Sequence, residues 1–343
     1  MRDLLRFGRL GRPQGRPLYP ASVACGALLA AVLIACNAPA RAAYAVQTIE
    51  TITLHDSARQ RDIPLKIYYP EGVRAAPLII FSHGYGSDRD GYVYLASGWA
   101  GAGYVVILPT HAGGDRQAAM AGGFGAMMRG ESVVTGQQLE ANAKDISFII
   151  SSLPQIVREA PELAGAIDTQ HIGVAGHSMG GGTTLVVAGA TVPGGTTTAS
   201  DSRVTAFIAI SPQGMYSSAD AHRWDGIVRP TMVMYGSADA GEQHQPPSWR
   251  RDPYDHMPAG DKYCVVVDGA NHFSFADAAQ APAVAALLAD GQTRSMDEIH
   301  AYVVSATLVF WNAYLKGDSA AKAALHSQTG LDPSDPIGTL DYK

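Results

Sequence analysis

Residues 171–184 read HIGVAGHSMGGGTT, an apolar run that meets a serine and then gives way to glycine. A G-x-S-x-G pattern can arise by chance in a chain with 37 glycines among 343 residues, so its surroundings have to decide its meaning. HIGVAG has the continuous apolar character of a strand that is buried on both faces, and the segment from Met179 to Ala190 has the character of a helix. The stretch therefore predicts a strand, a tight turn that carries Ser178, and a helix.

The rest of the chain repeats this alternation of apolar runs and helical segments. Runs typical of buried parallel strands occur at 77–82, 104–110, 171–176, 204–211, 230–236 and 262–269. Two earlier segments, 47–54 and 63–70, predict antiparallel strands. Apolar side chains at helical spacing form two stripes: Leu139, Ala143, Ile146, Ile150 and Leu153, and then Ile299, Val303, Ala306 and Phe310. We expect one doubly wound α/β domain over residues 43–343, with a mostly parallel sheet and an antiparallel N-terminal edge.

The N-terminus is different in kind from this domain. Residues 1–20 carry five arginines against one acid, and an apolar run of 15 residues follows at 21–35. This run is shorter than the about 20 residues of a membrane span, so residues 1–42 are predicted to be a secretory signal. Two processing sites remain open. Residues 40–42 form an A-x-A site, whereas residues 33–36 resemble a lipobox that would leave Cys36 lipidated and the protein anchored to a membrane.

Charge and cysteine content narrow the function classes further. The whole chain has a net charge of −6, and residues 1–42 contribute six arginines and one aspartate. Removal of these residues would therefore leave a domain with a net charge of −11. A surface this acidic argues against nucleic acid as a partner. Cys264 is the only cysteine after the predicted signal, which rules out a disulfide within the domain and a zinc site built on several thiolates. With no H-E-x-x-H motif and no phosphate-binding glycine loop, we expect neither a metal nor a cofactor.

Ser178 would need a base, because a serine hydroxyl is a poor nucleophile at neutral pH. Asp239 follows the strand predicted at 230–236, and His272 follows the strand predicted at 262–269. The carboxyl ends of parallel strands share one edge of a sheet, so all three side chains can meet there. The order Ser, acid, His is the one expected on this architecture. Three further acids are weaker alternatives to Asp239: Asp252, Asp255 and Asp268.

The turn itself predicts how the remaining parts of the site are made. Gly176 and Gly180, on either side of His177 and Ser178, are expected where a side chain would collide across the turn. The backbone N–H of Met179, at the start of the helix, is the first candidate donor to an oxyanion. The second is the N–H of Tyr85, in the loop after residues 77–82.

Three further expectations concern the loops. His83 is expected to hold its loop in place rather than act as a second base, and the Tyr85 side chain is a candidate to line an acyl pocket. The long segments 111–131 and 237–260 follow strand ends and are predicted to form the walls of that pocket.

These motifs resemble the α/β-hydrolase superfamily, and within it the bacterial group related to dienelactone hydrolases, platelet-activating-factor acetylhydrolases and chlorophyllases. The resemblance covers nearly the whole chain after the signal. Residues 81–111 resemble the oxyanion loop and following strand of that group, 162–184 its nucleophile elbow, 236–241 its acid loop and 269–277 its histidine loop. The elbow GHSMGGG is also similar to that of bacterial cutinase-type polyester hydrolases.

The resemblance implies an exported serine esterase that works through an acyl-enzyme. Ser178 would attack the ester, His272 would move the proton and Asp239 would orient His272. Dienelactone hydrolases carry cysteine at the elbow and cutinase-type enzymes usually carry a C-terminal disulfide, and this chain has neither feature. The alternatives left open are a lipase or acetylhydrolase acting on phospholipid or polyester, an amidase or acyltransferase, and a catalytically silent binding protein of the cell envelope.

Overall fold

The computed structural model describes residues 44–123, 125, 133–277, 291–327, 331 and 337–343. The predicted signal at 1–42, with both of its processing sites, lies outside these residues, so export and lipidation stay predictions. Among the described residues no helix is both long and apolar enough to cross a bilayer.

The described residues form one sheet of ten strands. In chain order these are β1 (Val46–Ile49), β2 (Thr53–Asp56), β3 (Arg61–Pro70), β4 (Ala76–Ser82), β5 (Val105–Pro109), β6 (Ile167–His177), β7 (Val204–Ile210), β8 (Thr231–Gly236), β9 (Lys262–Val267) and β10 (Gly338–Tyr342). The strands lie in the order β1-β3-β5-β4-β6-β7-β8-β9-β10, and β2 pairs with β3.

The six strands from β5 to β9 in this order are parallel, as predicted. β1, β2 and β3 form the antiparallel N-terminal edge that was also predicted. Because β5 lies on one side of β4 and β6 on the other, the chain reverses its direction across the sheet at β4. In open α/β sheets such a reversal leaves a crevice outside the carboxyl ends of the strands.

Helices cover both faces of the sheet. They are α1 (Val93–Gly101), the single turn α2 (Arg116–Ala118), α3 (Gly136–Ser151), α4 (Leu153–Glu159), α5 (Met179–Ala188), α6 (Asp252–His256), α7 (Met296–Leu315) and α8 (Ser319–Leu325). α3, α4 and α5 pack on one face, and α1, α7 and α8 pack on the other. The sequence of β4 is apolar throughout because both of its faces are buried. Leu78 and Ile80 lie in the core on one face of the sheet, and Ile79 and Phe81 lie in the core on the other.

Three details differ from the sequence predictions. The strand predicted at 47–54 is divided into β1 and β2, with Ile52 buried between them. The apolar stripe 139–153 does not belong to one helix, because α3 ends at Ser151 and Leu153 begins α4. The run at 262–269 is not the last strand, because β10 pairs antiparallel with β9 at the C-terminal edge of the sheet.

Candidate active site

Ser178 occupies a sharp turn between strand and helix. β6 ends at His177 and α5 begins at Met179, so Ser178 alone makes the connection. Its backbone has φ 55° and ψ −116°, which costs a non-glycine residue roughly 1–3 kcal/mol. The N–H of Ser178 donates to the carbonyl of Ile210 at the end of β7, and its carbonyl accepts from the N–H of Gly182. These bonds hold the strained turn at the carboxyl edge of the sheet.

The glycines around this turn are required by close backbone contacts. A Cβ on Gly180 would overlap the carbonyl of Ser82, and a Cβ on Gly176 would overlap the backbone of Gly180. The helix therefore starts directly against the ends of β4 and β6. This proximity is what points the Ser178 hydroxyl away from the sheet.

The structure brings together the three side chains that the sequence singled out. His272 Nε2 lies 2.9 Å from Ser178 Oγ, and His272 Nδ1 lies 2.9 Å from Asp239 Oδ1. Asp239 is fully buried, whereas the His272 side chain is 17 % exposed and Ser178 is 7 % exposed. His272 begins a single 3₁₀ turn, His272–Phe275, that is capped by the Asn271 side chain. The hydroxyl thus faces the crevice while the carboxylate lies behind the imidazole.

Asp239 is held as a carboxylate by more than the imidazole. Its Oδ1 also accepts from Arg250 Nε at 2.9 Å, and its Oδ2 accepts from the Ser211 hydroxyl. Burial by itself raises the pKa of Asp239, but the charge of Arg250 and the contact with His272 outweigh it and hold this pKa well below its ordinary value of 3.8. The carboxylate is therefore charged over the whole working pH range of a protein.

The alternative acids have other partners. Asp268 is paired with Arg294, Asp252 accepts from the backbone N–H of Met215, and Asp255 is paired with Arg251. Asp239 is the acid at hydrogen-bond distance from His272.

The loop after β4 lies beside the serine. A Cβ on Gly84 would lie 3.4 Å from Ser178 Cβ, which is ordinary contact, but only 3.0 Å from Tyr92 Oη and 3.2 Å from His177 Nδ1, so these two side chains leave little room for one. The next residue is Tyr85, whose N–H makes no hydrogen bond to the described residues. Met179 is the first residue of α5, so its N–H has no acceptor within the helix. Both predicted donors are thus available beside Ser178.

His83 fixes the peptide that carries the Tyr85 N–H, and Tyr92 holds the peptide that precedes it. His83 Nδ1 donates to the carbonyl of Gly84 at 2.8 Å, and its Nε2 accepts from the N–H of His111 at 3.0 Å. Tyr92 Oη accepts from the N–H of Gly84 at 3.2 Å. The Gly84 carbonyl and the Tyr85 N–H belong to one planar peptide and point in opposite directions, so holding the first orients the second. Burial, aided by His111, lowers the pKa of His83 to about 3 and keeps this ring neutral.

A buried ion cluster supports His83 from behind. His111 Nδ1 lies 2.9 Å from Asp145, and Asp145 also binds Arg59 and Arg61. Burial raises the pKa of Asp145, but its bonds to His111 and Arg61 outweigh that effect and lower it overall. α3 is thereby tied to the loop after β5 and, through His111, to the loop that holds Tyr85.

His177 joins the histidine loop to the Tyr85 loop. Its Nε2 donates to the backbone carbonyl of His272 at 3.0 Å, and its Nδ1 accepts from Tyr92 Oη at 2.9 Å. Burial, together with the nearby His272, lowers the pKa of His177 well below its ordinary value, so the ring is neutral. The residue before the serine therefore links the backbone at 84 to the backbone at 272.

The predicted pocket walls are described only in part. In 111–131, a turn and a π-helical segment cover Arg116–Gly123, while residues 124 and 126–131 lie outside the described residues. In 237–260, the 3₁₀ helix Pro247–Arg251 buries Trp249 and Arg250 against the acid loop. Trp249 and Arg250 are therefore internal, whereas their neighbour Ser248 on the same turn is exposed.

Two further observations concern the thiol and the potential metal ligands among the described residues. Cys264 is a free, buried thiol within β9, and burial raises its pKa to about 12. No group of three or more His, Cys, Asp or Glu among the described residues could hold a metal ion.

Sequence reasoning missed several residues that the structure places at the site: Tyr92, His111, Asp145, Ser211, Arg250 and Asn271. Only Asn271 had a local signal, because Asn followed three residues later by Ser is a capping pattern. The others are joined to the site by contacts between distant segments of the chain.

A family model described as PET hydrolase-like matches residues 65–304. The match covers more than half of the chain and extends from β3 into α7, so it includes Ser178, Asp239 and His272. No curated protein matches the chain.

Proposed function

The chain belongs to the PET hydrolase-like family and is an ester hydrolase of the α/β-hydrolase type; from this premise we propose that it cleaves carboxylic esters through an acyl-serine intermediate. The observation that carries the proposal is the continuous hydrogen-bonded path from Ser178 through His272 to Asp239. A nucleophile, a base and a group that orients the base are the parts that acyl transfer requires.

The first half of the reaction forms the acyl-enzyme. Ser178 Oγ attacks the ester carbonyl while His272 Nε2 takes the hydroxyl proton, and the N–H groups of Tyr85 and Met179 stabilise the oxyanion. Asp239 keeps the proton of His272 on Nδ1 and stabilises the imidazolium. When the tetrahedral intermediate collapses, His272 Nε2 gives its proton to the departing alkoxide and the alcohol leaves.

The second half returns the enzyme to its starting state. A water molecule takes the place of the alcohol and loses a proton to His272 Nε2 as it attacks the acyl carbonyl. The second tetrahedral intermediate expels Ser178 Oγ, which regains the proton from His272, and the carboxylic acid leaves.

The family match favours polyester as the finer substrate class, and a phospholipid acetyl ester is the second candidate. We further propose that residues 1–42 direct export, so that the enzyme acts outside the cytoplasm on an external ester. Hydrolysis of p-nitrophenyl esters of graded chain length, of a phospholipid acetyl ester and of a polyester film would rank these substrates. A matching amide and an acyl-acceptor alcohol in the same assay would reveal an amidase or an acyltransferase.

The central test is Ser178→Ala, which we expect to lower ester turnover by about 10⁵-fold or more, because the three groups act as a unit. Ser57→Ala, at an exposed serine distant in sequence from Ser178, is the matched control and should retain full activity. An organophosphonate should label the wild-type protein at Ser178. A wild-type protein that is folded yet is neither labelled nor active would identify a silent scaffold instead.

A further inference from the structure

Arg250 is a buried cation on the side of Asp239 that faces away from the serine. It is 1 % exposed, and its guanidinium is held by Asp239, by the carbonyls of Ser211 and Pro212, and by the carbonyl of Ala240. These acceptors come from the loops after β7 and β8, so the guanidinium occupies a fixed position. Its fork cannot turn away from the carboxylate without breaking several bonds.

Arg250 and His272 bind the same carboxylate oxygen. Arg250 Nε and His272 Nδ1 each lie 2.9 Å from Asp239 Oδ1, so these two nitrogens are at most 5.8 Å apart. In the reaction proposed above, the negative charge of Asp239 stabilises the imidazolium that forms when His272 takes the serine proton. A permanent positive charge at the same oxygen offsets part of that stabilisation.

The groups that face this pair come from four elements of the fold. Arg250 lies on the 3₁₀ helix 247–251, Ser211 follows β7, and His177 ends β6 with its ring centroid 4.7 Å from that of His272. Tyr92, at the start of α1, reaches the pair through His177. His177 is neutral and donates to the His272 carbonyl, so among these groups Arg250 is the one that brings a permanent positive charge.

We propose that Arg250 is an electrostatic positioning residue that lowers the pH at which His272 becomes available as the base. This inference rests on the proposed esterase function and adds a determinant of its pH dependence. The guanidinium raises the free energy of the imidazolium relative to the neutral imidazole, so it extends activity toward acid. It also clamps the loops at 211–212 and 239–240, which fixes the direction in which Asp239 faces His272.

The charge and the clamp are separable by substitution. Arg250→Gln removes the charge but keeps a hydrogen-bonding side chain, so His272 should hold its proton to higher pH. At a separation of about 6 Å and an effective dielectric constant of about 20, the acid limb of the kcat/KM profile should move upward by on the order of two pH units. Arg250→Lys keeps the charge and loses the fork, so kcat should fall while the limb stays within about 0.3 pH units.

Arg251→Gln is the matched control, because Arg251 adjoins Arg250 on the same short helix but pairs with Asp255 and Asp341 away from the triad. Its acid limb should coincide with that of the wild type. The pH dependence of Ser178 labelling by an organophosphonate gives a second measure of the same limb without any choice of substrate.

The outcomes separate this inference from the function on which it rests. Loss of ester hydrolysis and of labelling in the wild type would remove the proposed function itself. An active wild type with an unmoved limb in folded Arg250→Gln would overturn the role of Arg250 alone. Where Arg250→Gln does not fold, Arg250→Met takes its place: an acid limb displaced upward by about one unit or more supports the charge model, and an unmoved limb overturns it.

Discussion

Substitutions at His83 test whether a side chain that touches no substrate controls the oxyanion site. His83 makes two buried hydrogen bonds on opposite sides of its ring, one as donor to the Gly84 carbonyl and one as acceptor from the His111 N–H. Asparagine places an amide where Nδ1 lies and can keep the first bond. Glutamine reaches the position of Nε2 and can keep the second, whereas leucine keeps neither.

The expected magnitudes follow from these two bonds. Loss of one oxyanion donor costs about 10²–10³ in turnover, and His83→Gln tilts the Tyr85 N–H rather than removing it. We therefore expect kcat to fall by about 10–10² in His83→Gln and His83→Leu, with KM nearly unchanged, and by less than about tenfold in His83→Asn. Each lost buried bond should lower the free energy of unfolding by about 1–3 kcal/mol, so Asn and Gln should be similarly destabilised.

The assay compares kcat and KM for a p-nitrophenyl ester with the affinity for a boronic acid that imitates the tetrahedral intermediate, and urea unfolding gives the stability. Affinity for the boronic acid should fall in parallel with kcat, since both depend on the oxyanion donors. His222→Gln, at a strongly exposed histidine, is the control. If His83→Gln retained as much turnover as His83→Asn at equal stability, the carbonyl of Gly84 would not orient the Tyr85 N–H.

Two further predictions concern the backbone contact at Gly180 and the burial of His83. Gly180→Ala should abolish both native folding and activity, because its Cβ overlaps the Ser82 carbonyl, and a variant with wild-type thermal unfolding and turnover would contradict this geometry. His83 has an ordinary pKa of 6.5 and a folded pKa of about 3, so the unfolded chain alone binds this proton in between. The contribution of His83 to the free energy of unfolding is complete above pH 6.5 and should fall on acidification by about 1.4 kcal/mol per pH unit until about pH 3. Urea unfolding at a series of pH values should therefore show a shallower decline in His83→Gln than in the wild type.

Much of the architecture could be predicted because the sheet is buried on both faces. Ile79 and Ile80 enter different cores, and this requirement makes the central strands apolar at every position and therefore visible in the sequence. β10 has no such signature. Its residues Gly338–Tyr342 form an edge strand with a mostly exposed pattern, and pairing with β9 rather than burial defines it.

Part of the candidate site could also be predicted from the sequence, and part could not. The positions of Ser178, Asp239 and His272 were predictable because each lies within five residues of the end of a parallel strand, and the sheet brings such positions to one edge. The glycines at 176 and 180 were predictable because a tight strand-to-helix turn excludes side chains. These features depend on local pattern and on one general rule of topology.

The environment of the triad depended on contacts that no local pattern records. Arg250 meets Asp239 only because a proline-rich segment folds into a 3₁₀ turn that returns to the acid loop, and His111 reaches His83 only across two strand ends. The sequence by itself determined which residues could carry the chemistry, since strand periodicity and turn geometry are properties of short segments. Only the tertiary structure decided that Asp239 binds both Arg250 and His272 and that His83 binds the carbonyl of Gly84. The reason is that hydrogen bonds between distant segments form only when the packed core sets the distance between them.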